Sequence, residues 1–324
     1  MRPLTPVLLL SFLSVLAADR PKPPALKAPL MFNTPEADRV LAALQVFPPD
    51  NPFNEDVSKR PLLPNTREII ASIGAEKHLA YNLDMAFILV PGNQKRVDAK
   101  VLLYPQESDK GPYPLPDNAP IECWPLDGRT LEAAQQGKED ADRHVLVVDP
   151  ANRMLYEFWQ GRRDAAGWQC SCEATFDLAS NRLRPDGWTS SDAAGLPIFP
   201  AVIRFDEVER GLVAHAMRFT VRNSRRAYVA PATHCASRKE DPNLPRMGER
   251  LRLKADFDVS GFSPHVQAIL KGLKKHGMFV ADNGGDWRLS VAPDKRIKGL
   301  EEFGKLKGSD FEVVEPSVPG PKAK

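Results

Sequence analysis

From Met85 onward, the chain is a series of short runs rich in β-branched and aromatic residues, separated by Pro, Gly, Asn and Asp. Strand-sized runs with turn signals at short intervals favour a sandwich, jelly roll or barrel over alternating β and α units. The 31 prolines agree with this, because proline breaks helix interiors and marks loops. We therefore predict a mainly β fold, a β-sandwich or jelly-roll-like body with a few peripheral helices. The predicted strands are 87–90, 97–104, 144–149, 154–159, 170–178, 202–205, 213–221, 227–232, 250–257, 278–282, 287–291 and 311–314.

Three segments, 35–47, 65–73 and 263–276, have apolar residues at helical spacing and predict the peripheral helices. In the third, Ser263 is a favoured cap and Pro264 a favoured first helical residue. The first two are expected to dock on the sheets as short helices.

The first residues read as a secretory signal. A positive start at Arg2 is followed by the apolar run 7–16 and by Ala17-Ala18, which are small residues suited to cleavage. The apolar run is too short to span a bilayer, which takes about 20 apolar residues, and no later stretch is longer. The alternatives are an uncleaved anchor or a buried helix. We expect a secreted or periplasmic protein with no transmembrane segment after cleavage.

The predicted organisation is a signal peptide over 1–18, an extended Pro/Lys-rich leader over 19–36 and one mainly β domain over 37–315. Within that domain, 37–83 is the helical N-terminal part. Residues 316–324 are expected to form a disordered tail.

The charge balance excludes some partners. With 44 basic and 42 acidic residues the chain is almost neutral and has no basic stripe, so we expect no nucleic-acid partner. It also lacks the serine-hydrolase elbow, the His-Glu-x-x-His motif, the phosphate loop and the dinucleotide fingerprint. These absences disfavour common serine hydrolases, zinc proteases, kinases and nicotinamide oxidoreductases.

Four cysteines, Cys123, Cys170, Cys172 and Cys235, lie in the central part of the chain. In an oxidising compartment an even number suggests disulfides. Cys170 and Cys172 would point to the same face of one strand, so we expect each to pair with a more distant cysteine. A Cys-x-Cys metal site is the alternative, although a second clustered pair is lacking.

Three segments carry a resemblance: 142–149 (DRHVLVVD), 184–197 (RPDGWTSSDAAGLP) and 277–284 (GMFVADNG). Together with shorter matches they resemble a family of uncharacterised secreted bacterial proteins over residues 48–315. The resemblance implies secretion and one shared fold, and it supplies no activity. Relatives carry small residues where this chain has Cys170 and Cys172, which implies that these cysteines are a local staple and not the chemistry.

The loop 184–197 is the most unusual segment. Trp188 could stack on a sugar, Asp186 and Asp192 are candidate acids or bases, and its serines could bond a hydroxyl or act as nucleophiles. The alternative is an ordered loop in which Asp192 is a cap and Trp188 fills the core.

Histidines form a second constellation. His215 and His234 belong to two predicted successive strands, and Asp206 and Glu207 lie upstream, so a carboxylate–histidine site for acid–base work or a metal is predicted. His144 opens another strand and is the third histidine considered. The identity of a metal or other cofactor is left open, and each histidine taken alone is more typical of a hydrogen-bonded core or surface residue.

Residues 281–287 form the third constellation. Asn-Gly-Gly between two strands predicts a hairpin turn, while Asp282, Asn283 and Trp287 would suit a carbohydrate. A calcium loop is disfavoured because the oxygen ligands are sparse.

These features predict a secreted carbohydrate-active protein, a polysaccharide hydrolase or lyase that uses loop carboxylates and histidines. Its catalytic candidates are Asp192, His215, Asp206, Glu207 and His234, and its substrate-binding candidates are Trp188, Asp186, Asn283 and Trp287. The alternative is a non-enzymatic extracellular or envelope protein, in which the buried aspartates are used up in loop hydrogen bonds.

Overall fold

A computed structural model describes residues 23–317. The predicted signal peptide, the start of the leader and residues 318–324 of the tail lie outside this range. The strands are β1 (Leu30–Met31), β2 (Ala80–Leu83), β3 (Phe87–Leu89), β4 (Ala99–Val101), β5 (Val145–Asp149), β6 (Met154–Trp159), β7 (Arg162–Asp164), β8 (Gly167–Cys170), β9 (Cys172–Asp177), β10 (Met217–Val221), β11 (Arg250–Leu253), β12 (Met278–Asn283), β13 (Arg288–Val291) and β14 (Phe311–Val314). The α-helices are α1 (Pro35–Ala43), α2 (Thr66–Ile73), α3 (Leu131–Gln136), α4 (Phe205–Glu209) and α5 (Pro264–Lys275).

The strands form three sheets, and more residues lie in strands than in helices, which confirms the mainly β prediction. One sheet has the order β1-β3-β5-β6-β9, the second β14-β11-β12-β10-β13-β2 and the third β4-β8-β7. All three are mixed, because β3–β5, β10–β12, β13–β2 and β4–β8 are parallel pairs. Jelly rolls are built from antiparallel strands, so these pairs are a departure from that pattern.

The five-stranded sheet is buried on both faces. Because side chains alternate along a strand, Leu146 and Val148 of β5 point into a main core that also contains Phe219 of the six-stranded sheet. Val145 and Val147 point the other way, into a second core shared with the three-stranded sheet. This explains why every residue of β5 is buried.

The three predicted helices are present as α1, α2 and α5. Ser263 occupies the cap position of α5 with extended backbone, although its hydroxyl makes no capping bond. Thr34 caps α1 by accepting from the Ala37 N–H at 3.2 Å. No helix within residues 23–317 is long and apolar enough to cross a membrane.

Three predicted features of the sheets are wrong. Strands β12 and β13 do not form a hairpin around residues 283–287, because β10 lies between them and pairs with both. The run 227–232 makes only a single bridge, from Tyr228 to Met247, since Pro231 has no N–H to give to a ladder. The predicted strand 202–205 also makes only a single bridge, from Ile203 to Val291, and its last residue, Phe205, begins α4, which carries Asp206 and Glu207 in its first turn.

The four cysteines are free, so the predicted disulfides are not formed. Cys170 ends β8 and Cys172 begins β9, which belong to different sheets. The expectation of one strand with both thiols on one face was therefore wrong. Cys170 is buried in the second core, and the Cys172 sulfur lies 3.7 Å from the Ser108 hydroxyl.

Candidate acid–base site

Asp192 anchors the loop 184–197. Its carboxylate is fully buried and accepts two hydrogen bonds from Arg218, at 2.8 Å from Nε and 2.7 Å from Nη2. The Ser190 hydroxyl accepts from the Asp192 N–H at 2.9 Å and donates to the Leu196 carbonyl at 2.6 Å. Asp192 therefore has no free face toward a substrate, and its predicted catalytic role is replaced by a structural one.

His215 and its two predicted carboxylates are neighbours at α4. The imidazole Nε2 lies 2.9 Å from Glu207, which also pairs with Arg204 at 2.9 Å, and Arg204 contacts Asp206 at 3.3 Å. All four side chains are buried. Because each charge is already matched, this cluster has the character of a structural ion-pair network.

His234 lies elsewhere, with Nδ1 2.7 Å from the Ala193 carbonyl oxygen. The predicted adjacency of His215 and His234 was wrong, because the strand that should carry His234 does not form.

Trp287 is also placed in the core. Its indole is fully buried, stacked at 5.8 Å on Phe219 and 5.3 Å on Phe311, and its Nε1 donates to the Gly74 carbonyl at 3.0 Å. It has no exposed face for a sugar, so its predicted substrate-binding role is corrected.

The other predicted binding residues remain at the surface. Asp186 is exposed and accepts from the Tyr228 hydroxyl at 2.6 Å, and Trp188 of the same loop is half-buried. Asn283 is half-buried and accepts from the Ser224 hydroxyl at 2.8 Å. Their binding roles stay predictions.

A different group of ionisable residues is linked by charge and hydrogen bonds, beginning with Glu122 and His144. Nδ1 of His144 lies 3.1 Å from Glu122, and Nε2 lies 2.9 Å from the Ser191 carbonyl oxygen. Both ring nitrogens therefore face acceptors, as in a protonated imidazole. Burial opposes that charge, but the charge of Glu122 and its hydrogen bond outweigh burial and raise the pKa of His144 to about 10.

Asp84 lies at the crossing from β2 to β3. Burial, assisted by the charge of Glu122, raises the pKa of Asp84 to about 7. Its Oδ1 and the Ser191 hydroxyl are both buried without a hydrogen-bond partner. Unpaired buried polar atoms are costly, so these two mark polar positions at residues that contact His144 or act on it through charge.

Asp282 and Asp142 complete the group at its more open side. Burial first, and then the charge of Asp192, raises the pKa of Asp282 to about 7, and the charge of Asp142 adds to the rise. Asp282 on β12 is half-buried, whereas Asp142 is exposed and accepts from the Trp159 Nε1 at 3.1 Å. We call Asp84, Glu122, Asp142, His144 and Asp282 the acid–base cluster.

The cluster holds carboxyl groups in contrasting states. Burial favours the neutral form of Glu122, but the charge and hydrogen bonds of His144 outweigh it and hold the pKa of Glu122 below its ordinary value. The pKa values of Asp84 and Asp282 are shifted the other way, to about 7, so both groups are partly protonated near neutral pH. Titratable groups displaced in opposite directions are the usual basis of acid and base assignments.

Cys123 sits beside Glu122 with an exposed side chain and a left-handed backbone at φ 68°. Its N–H donates to the Asp84 carbonyl at 2.8 Å. Although the residue is exposed overall, partial desolvation of its sulfur, followed by the charges of Glu122 and Asp84, raises the pKa of Cys123 to about 12. The thiol thus stays protonated at neutral pH and is a poor nucleophile.

Sequence reasoning named His144 and Asp282 and missed Asp84, Glu122 and Asp142. Asp142 could have been found, because it lies in the same segment as His144. Asp84 and Glu122 carry no local signal, since only the folded chain brings them to the histidine.

Two further observations limit where the chemistry of the protein can be placed. Within residues 23–317 no group of three or more His, Cys, Asp or Glu side chains is arranged to hold a metal ion. A separate cleft of about 470 Å³ is lined by apolar residues of the leader, α1 and the loop after β3, with Arg153 as its single ionisable side chain. It offers no acid or base, so we place the chemistry at the cluster.

Comparison of the chain with family models, with curated proteins and with solved structures gives no match.

Proposed function

We propose that the chain is an extracellular carbohydrate-active enzyme that cleaves a polysaccharide by acid–base chemistry at the cluster. The proposal is carried by five ionisable side chains from four segments of the chain. Glu122 and His144 are hydrogen-bonded, the others are linked to them or to one another through their charges, and the carboxyl pKa values are displaced in opposite directions. The signal-like N-terminus, the near-neutral charge and the missing cofactor motifs support the extracellular carbohydrate reading.

Asp282 is the proposed proton donor. It is half-buried, so it is reachable from outside, and its raised pKa leaves it partly protonated near pH 7. Asp142 is exposed, and its charge acts on Asp282. It is the proposed base or nucleophile. A pair of carboxyl groups of this kind serves both steps of glycoside hydrolysis, with donation to the leaving oxygen and activation of water or attack on the sugar.

Glu122, His144 and Asp84 are assigned supporting roles. The Glu122–His144 pair holds a buried positive charge against the Ser191 carbonyl and fixes the loop 184–197 beside the cluster. Asp84 and the Ser191 hydroxyl supply unpaired polar atoms for a substrate hydroxyl or a water.

We also propose that the five-stranded and six-stranded sheets pack face to face as a β-sandwich. This arrangement is supported by the main core, to which the five-stranded and six-stranded sheets both contribute side chains.

A non-enzymatic binding or envelope protein is the second candidate. It is favoured by the buried ion pair of Asp192 with Arg218, which leaves Asp192 no contact with solvent, and by the burial of Trp287 in the core. On this reading the cluster would stabilise the junction of the sheets.

The test is a screen of the purified protein against soluble and insoluble polysaccharides, read by reducing ends for hydrolysis and by unsaturated products for a lyase. Wild type is compared with Asp282→Asn and Asp142→Asn. The matched control is Asp258→Asn, at an exposed aspartate that accepts only from Ser260.

Product from wild type and from the control, lost in both cluster variants while circular dichroism shows them folded, would support the enzyme. Retained activity in both cluster variants would overturn the assignment of the site. Silence of wild type across the panel would favour the non-enzymatic candidate.

A further inference from the structure

An exposed apolar patch lies near the acid–base cluster. Leu102, Leu103 and Tyr104 follow β4 and are 46%, 59% and 40% exposed. Their backbone is fixed, since the Leu102 N–H donates to the Cys170 carbonyl and the Tyr104 N–H to the Ser171 carbonyl, both at 2.9 Å. Consecutive large apolar side chains held at the surface mark an interaction site more often than isolated ones do.

The patch is continuous with the cluster through Trp159. The Tyr104 and Trp159 rings lie 6.1 Å apart, and the Trp159 Nε1 donates to Asp142 at 3.1 Å. Asp142 in turn acts electrostatically on Asp282. The two aromatic rings thus lead from the open surface to Asp142, the proposed base or nucleophile.

We propose that Leu102, Leu103, Tyr104 and Trp159, which we call the aromatic patch, form a binding subsite for a pyranose unit of the polysaccharide. This inference rests on the proposed function. The apolar C–H face of a pyranose packs on aromatic and aliphatic side chains, and a carboxylate beside the ring accepts its hydroxyl hydrogens. Asp142 supplies that carboxylate.

The chemistry of the patch favours a neutral sugar chain over other occupants. None of its four residues is charged, so it offers nothing to attract the phosphates of nucleic acid or the head groups of an anionic membrane. A second copy of the chain is the competing occupant of an apolar surface, and the test below includes it.

Binding is measured apart from turnover, by affinity electrophoresis of the full-length Asp282→Asn protein in native gels containing soluble starch, xylan or mixed-linkage β-glucan. Tyr104→Ala and Leu103→Ala are made in this background. Leu62→Ala is the matched control, because Leu62 is another exposed leucine, at 39% exposure, remote in the chain. Should Asp282→Asn fail to fold, the same series is run in the wild-type background on short, cold gels.

We expect at least one polysaccharide to retard the parent, with binding about five- to tenfold weaker in the two patch variants and unchanged in the control. Equal retardation of parent, patch variants and control would overturn the subsite. So would self-association of the parent that Leu103→Ala abolishes while no polysaccharide retards it. Patch-dependent binding without turnover by wild type would keep the subsite and reject the enzyme, whereas turnover without patch-dependent binding would do the reverse.

Discussion

Replacement of Glu122 by Gln tests the electrostatics of the cluster. The substitution keeps the shape of the side chain but removes the charge that stabilises the buried imidazolium of His144. The His144 side chain is 3% exposed and that of Glu122 is 16% exposed, so solvent screens the pair little. Breaking a buried pair by removing one partner costs about 3 to 5 kcal/mol.

The pH dependence of this loss has a definite sign. The folded pKa of His144, about 10, lies above the ordinary value of 6.5. The pair therefore contributes fully below pH 6.5, and its contribution disappears as the pH rises through 10, by up to roughly 1.4 kcal/mol per pH unit. The difference between wild type and Glu122→Gln is expected to be larger at pH 6 than at pH 10.

Urea unfolding at pH 6, 8 and 10 measures this for wild type, Glu122→Gln, His144→Gln and the double variant, from which a coupling free energy follows. The control is Glu76→Gln, which breaks the exposed Lys307–Glu76 contact of 2.7 Å and should change stability little at any of the three pH values. A stable Glu122→Gln protein at pH 6, or a loss of the same size at all three, would refute the reasoning.

Three further predictions follow from the same structure. Trp287→Ala should lower the free energy of unfolding by about 3 to 5 kcal/mol in a urea titration, because it empties a core position; a loss near zero would contradict its burial. Ellman's reagent should find four thiols in denaturant and fewer in the native state, because Cys170 and Cys172 are buried and Cys123 stays protonated; fewer than four in denaturant would contradict free cysteines. Since the folded pKa of Asp282 is about 7 against an ordinary 3.8, wild type should lose stability relative to Asp282→Asn as the pH rises from 4 to 7, seen in thermal melts; parallel curves would contradict the shift.

Local sequence signals predicted the elements that depend on local physics. The runs of β-branched and aromatic residues in β5 and β6 and the helical spacing in α5 were sufficient to place those elements within a few residues of their observed bounds. The short strands β1, β2, β7 and β8 were not proposed as separate elements, because two to four residues carry too little periodicity.

The pairing of strands could not be read in the same way. Asn-Gly-Gly after β12 is a strong local hairpin signal, yet β10 pairs with both β12 and β13 and separates them. The pairing is a long-range choice, made by the burial of Phe219 and Leu289 in one core, and no local pattern encodes it.

The candidate site also depends on long-range contacts that local sequence signals do not predict. The sequence around Asp192 is typical of a catalytic loop. The burial of Asp192 against Arg218, however, depends on β10, which is distant in sequence. Glu122 and Asp84 acquire their shifted pKa values only from the neighbours that folding supplies.

The most direct test of the acid–base site is the rate of reducing-end release from a polysaccharide that wild type cleaves, measured from pH 4 to pH 9 beside Asp282→Asn and Asp258→Asn. A proton donor with a pKa of about 7 predicts that the rate falls as the pH rises through 7, that Asp282→Asn loses it at every pH and that Asp258→Asn retains the wild-type profile. Cleavage by folded Asp282→Asn at the wild-type rate would contradict the assignment, as would a wild-type rate that does not decline above pH 7.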